Sequence, residues 1–210
     1  MNNSLARDPH RLKAFTLSTV LLWFLLALGG SLSGVFDSQH RPPIPLGVAA
    51  ILPVAVFVVW YVSSNEFRQL ILATNLRLLV MAQTWRVAGI VFLILYWRGM
   101  LPGVFALPAG WGDIAIGATA PLAAQAVSSG KHLRWFVLWN IVGIVDLVLA
   151  VTLGVLSSAT PVGVLAGEVT TEVMGRFPLS LIPTFLVPLF LIFHLIGLSQ
   201  SIRSAVTQQA

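Results

Sequence analysis

Cysteine is absent from the 210 residues. That removes disulfide staples, thiolate metal sites and thiol nucleophiles, and leaves the redox compartment unread. Charge is nearly as scarce. Charged residues make up 9% of the chain, against about 25% in a soluble domain, too few to coat a water-facing surface. Known catalytic signatures are missing too: there is no G-x-S-x-G elbow, no H-E-x-x-H pair and no Walker-type phosphate loop. Of the histidines, His10, His40 and His132 flank apolar runs and only His194 lies within one. A haem held by two histidines therefore has no pair. These residues name no cofactor and define no metal site.

What the chain has is apolar length. Hydrophobic residues make up 57% of it, and mean hydropathy is strongly positive. A helix needs roughly 20 apolar residues to cross a bilayer. Six runs approach that, near Ala14–Phe36, Ile44–Val62, Leu78–Trp97, Gly112–Ser128, Phe136–Ser157 and Leu179–Ser199. The expected fold is an all-α, single-domain bundle of six transmembrane helices in a bilayer. The fourth run is rich in Ala and Gly and is the least hydrophobic. The first exceeds a secretory h-region, which spans about 7–15 residues, and no small-x-small cleavage site follows it, so it is expected to stay attached.

Lys and Arg are retained on the cytoplasmic side of short loops. With both termini inside, the inner flanks hold eight of them: Arg7, Arg11, Lys13, Arg68, Arg77, Lys131, Arg134 and Arg203. The outer flanks hold three, Arg41, Arg98 and Arg176. The expected location is a bacterial-type inner membrane with both ends cytoplasmic. Trp60, Trp97, Trp111 and Trp135 fall near span boundaries, as an aromatic belt requires. The net charge of +5 is spread over span ends and forms no stripe, so nucleic acid is not an expected partner.

Two connections, 64–77 and 163–177, read as amphipathic. Ser63-Ser64-Asn65-Glu66 fits a capping box from Ser63 to Glu66. Glu168, Glu172 and Arg176 are spaced four apart, which predicts a short helix with a Glu-to-Arg pair. The span layout of the two halves hints at an inverted repeat, but no residues align between them.

The candidate site is the set of polar residues inside apolar runs: Gln83, Arg86, Asn140, Asp146 and His194. A charge at the bilayer centre costs at least a few kcal/mol, so it marks a pathway, a relay or a packed polar core. Gln83, Arg86, Gly89 and Leu93 share one stripe of the third span, and Gly143, Asp146, Ala150 and Gly154 one stripe of the fifth. Small residues on a stripe let another helix come close. Pro183 and Pro188 should loosen the sixth span, whose face carries Thr184 and His194. An Arg86–Asp146 pair is expected where these helices meet, with Gln83 and His194 beneath it. Asp113 is expected as a helix N-cap at an outer mouth with Arg98 and Arg176.

Three functions fit these residues. The leading one is a small-solute or proton-linked transporter or channel using the Arg86, Asp146 and His194 cluster. The second is a non-catalytic membrane subunit or scaffold whose polar cluster is structural glue. The third is a membrane enzyme or cofactor-binding protein acting on a lipid or quinone. The small bundle leads us to expect a homodimer, with another membrane subunit as the alternative partner.

Overall fold

A computed structural model describes residues 9–38, 41–129 and 133–209. Arg7, His40, Lys131 and His132 lie outside them. Every regular element among the described residues is helical. They are α1 (Pro9–Leu32), α2 (Ile44–Ser63), α3 (Asn65–Leu72), α4 (Leu76–Ala82), a 3-10 stretch (Gln83–Gly89), α5 (Ile90–Trp97), α6 (Gly103–Ser129), α7 (Leu133–Leu156), a 3-10 turn (Glu172–Gly175), a π-turn (Ile182–Leu186) and α8 (Val187–Gln209). Leu76–Trp97 runs as one rod, as does Ile182–Arg203.

Five helices are long and apolar enough to cross a membrane: His10–Leu32, Ile44–Ser63, Leu76–Trp97, Arg134–Leu156 and Ile182–Arg203. α6 is not among them although it has 27 residues. Its Ala and Gly content, which lowers its hydropathy, reflects its position. Ala106, Ala109, Ala120, Ala123 and Ala124 are all buried, and α6 packs along both the Leu76–Trp97 rod and α7. Small side chains permit that approach.

Several hydroxyl groups in the helices find partners within their own helix, as an apolar setting demands. The hydroxyls of Thr16, Thr19, Thr152 and Ser199 bond the carbonyl four residues back in their own helices. α5 ends on Gly99 at φ 69°, with Met100 N–H donating to Leu95 O and Gly99 N–H to Tyr96 O, a Schellman closure. Helix α3 is capped by Ser64, whose hydroxyl accepts from Phe67 N–H at 3.2 Å. The cap falls one residue later than the expected Ser63, which puts Phe67 and not Glu66 at the third helical position, so the expected capping box does not form. α2 continues through Ser63, whose hydroxyl bonds Val59 O at 2.7 Å.

Two apolar layers bracket the middle of the bundle. One joins Val80, Ile116, Ala120, Ala123, Ala124, Phe136 and Trp139. The other joins Phe92, Leu101, Phe105, Ala106, Ala109 and Met174. On the Leu76–Trp97 rod, α6 and α7, the positions of Gln83, Arg86, Asp113, Asn140 and Asp146 fall between the two layers.

Candidate functional site

Arg86 sits in the 3-10 stretch. With three residues per turn, Gln83, Arg86 and Gly89 stand in one row, and all three are buried. α-Helical spacing would have fanned this row out; the tighter winding aims it at α6, α7 and α8.

The guanidinium, 2% exposed, uses every nitrogen. Nε donates to Asp113 Oδ1 at 2.7 Å. Nη2 donates to Asp146 Oδ2. Nη1 meets His194 Nε2 at 3.1 Å and the Gly143 carbonyl at 3.5 Å. An arginine N–H only donates, so His194 Nε2 accepts and the ring proton belongs on Nδ1. Nδ1 then donates to Asn140 Oδ1 at 3.0 Å. Asn140 Nδ2 closes the chain on Phe136 O at 2.8 Å. The tautomer and the amide orientation follow from these partners, and each supports the other. Gln83 Nε2 donates to Phe190 O at 3.1 Å, while its Oε1 is buried with no partner among the described residues.

Four of these polar side chains rest on a glycine of a neighbouring helix. Asp113 lies against Gly89, Asp146 against Gly112, His194 against Gly143 and Asn140 against Gly197. A β-carbon at any of these glycines would strike the polar group. The series threads α4–α5, α6, α7 and α8 together. Arg86 stands among them, its backbone against Gly117.

The structure thus brings Gln83, Arg86, Asn140, Asp146 and His194 to one place. It moves Asp113 there as well. The helix that carries Asp113 starts at Gly103 instead of Gly112, so Asp113 lies ten residues, or about 15 Å, inside it and caps nothing. Trp111 likewise lies within this helix and not at its start. The Gly99, Pro102 and Gly103 punctuation marks the true start, ahead of the Gly-Trp-Gly-Asp sequence at 110–113. The outer mouth dissolves accordingly. Arg98 occupies the exposed end of α5. Arg176 bonds Asp37 at 3.1 Å and Glu172 at 2.9 Å. The Glu172–Arg176 pair is present, but the expected helix around it shrinks to the 3-10 turn, and Glu168 lies outside that turn. No group of three His, Cys, Asp or Glu among the described residues is placed to hold a metal ion.

Taken together, the helices define a helical protein with apolar helices compatible with a membrane protein and with a buried ionic cluster between two apolar layers. Residues 43–200 match a family described as Domain of unknown function (DUF8737), and the chain belongs to that family. No curated protein and no solved structure matches it.

Proposed function

We propose that the chain is a small membrane carrier that moves a proton or a small cation through the Arg86–Asp113–Asp146 cluster. The observation that carries this reading is charge imbalance. Two carboxylates meet one guanidinium, and the remaining partner is an imidazole that accepts a hydrogen bond. Asp113 Oδ2 and Asp146 Oδ1 take no hydrogen bond among the described residues, and the two side chains are 17% and 12% exposed. A proton or a monovalent cation supplies the missing positive charge at these oxygens. Irregular winding supports movement there: a 3-10 stretch carries Arg86, and a π-turn precedes the helix carrying His194. Such interruptions recur at hinges and at transporter midplane sites. In this reading α6 is a sixth crossing and both termini face the cytoplasm of a bacterial-type inner membrane.

The test uses purified protein in lipid vesicles with an entrapped pH dye, under an imposed pH gradient and then under Na⁺ or K⁺ gradients. Wild type is expected to dissipate one of them. Asp146→Asn should lose that flux while keeping its elution profile and melting temperature. Wild-type vesicles no leakier than empty ones, or an Asp146→Asn protein that still conducts, would overturn the reading.

The glycine contacts favour a second reading, in which the cluster fixes helix packing in a non-catalytic membrane subunit. Buried ion pairs often set specificity without adding stability, and breaking one costs about 3–5 kcal/mol. Under this reading Asp146→Asn fails to fold instead of failing to conduct.

A further inference from the structure

Pro188 lies in the first turn of α8 and has no N–H. The Thr184 carbonyl, four residues back, is therefore deprived of its α-helical donor. Trp23 of α1 supplies another: its indole Nε1–H donates to Thr184 O at 3.2 Å. The Ser31 and Ser180 hydroxyls form a second bond between the same segments. The rings of Trp23 and Phe24 pack on Phe185, with centroids 4.7 and 5.1 Å apart. All these contacts land on residues 180–185, which are the π-turn and its approach. α1 as a whole is sparsely held, with 11% of its most apolar window buried. It also precedes the residues matched by the family, which begin at 43.

We propose that α1 is a strap on the joint of α8: the Trp23 indole stands in for the amide that Pro188 lacks, and by holding the Thr184 carbonyl it keeps the π-turn closed. α8 carries His194 to Arg86, so an open joint loosens that contact. The strap acts in this way whether the cluster carries a cargo or only packs helices.

Hydrogen exchange on the full chain in detergent, read by mass spectrometry, tests this. Trp23→Phe keeps an aromatic ring and removes the N–H. The amides of residues 184–191 should then exchange about two- to tenfold faster, the range set by one net hydrogen bond, with other helices unchanged. Pro188→Ala returns a backbone donor to Thr184 O, so in that background Trp23→Phe should have no effect. Two exchange results overturn the proposal. One is an unchanged rate in the single variant; the other is equal acceleration in both backgrounds, which would assign the indole a packing role. If Trp23→Phe instead lowers the yield of folded protein, Pro188→Ala should restore it, and failure to do so also overturns the proposal.

Discussion

A β-carbon placed on Gly112 would overlap the Asp146 carboxylate, and one on Gly143 would overlap the His194 imidazole. The chain could escape either overlap only by moving a helix or by ejecting the polar group from its partners. Both routes are expensive in a close-packed interior, where overpacking costs about 1–3 kcal/mol. Gly29, in the last turn of α1, has nothing within 4 Å of its β-carbon position. There, alanine removes only the helix penalty of glycine and should stabilise by up to about 1 kcal/mol. We therefore expect Gly112→Ala and Gly143→Ala to lower the melting temperature in detergent clearly, and Gly29→Ala to leave it equal or higher. If all three variants melt alike, the polar side chains do not depend on these glycines for their positions.

At the scale of elements, the turn between α5 and α6 decides where Asp113 falls. Gly99 has φ 69° and open space at its β-carbon position, so Gly99→Ala would suffer backbone strain alone, about 1–2 kcal/mol. Asparagine tolerates that conformation better. Thermal unfolding should therefore rank wild type above Gly99→Asn and Gly99→Ala lowest; alanine equal to wild type would remove the Schellman closure as the reason for this helix end. The same turn shows what the sequence carried and what it did not. The second and third spans were legible to within two residues because their apolar runs end where their helices end. Gln83, Arg86, Asn140, Asp146 and His194 could be singled out because a polar residue in an apolar run needs a partner on another helix. Asp113 was misplaced because a helix that buries alanine and glycine carries a weak hydropathy signal at its start. The winding of Gln83–Gly89 was illegible for a different reason. No proline or glycine immediately precedes it to force a 3-10 turn, and it coincides with the three-way fork that Arg86 makes with α6, α7 and α8.

For the whole molecule the open question is parity, since one crossing more or fewer reverses everything that follows. α6 touches Val80 in one apolar layer through Ile116–Ala124, and Phe92 in the other through Phe105–Ala109. Val80 and Phe92 lie toward opposite ends of the Leu76–Trp97 rod, so α6 runs antiparallel alongside it. At about 1.5 Å per residue its length is about 40 Å, more than the hydrocarbon thickness of about 30 Å. A helix of that length beside the rod is long enough for the sixth crossing proposed above. The absence of cysteine makes this measurable with single introduced thiols and a membrane-impermeant maleimide on intact cells. Gln69, Met100 and Ala166 are exposed positions in the connections before the Leu76–Trp97 rod, before α6 and before α8. If α6 crosses and the termini are inside, Met100→Cys and Ala166→Cys label from outside, and Gln69→Cys labels only after lysis. If α6 does not cross, Met100→Cys still labels but Ala166→Cys is protected. The full reverse pattern would place the termini outside, against the Lys and Arg distribution. Ala166 is thus the discriminating position, because its side of the membrane depends on whether α6 adds a crossing before α7.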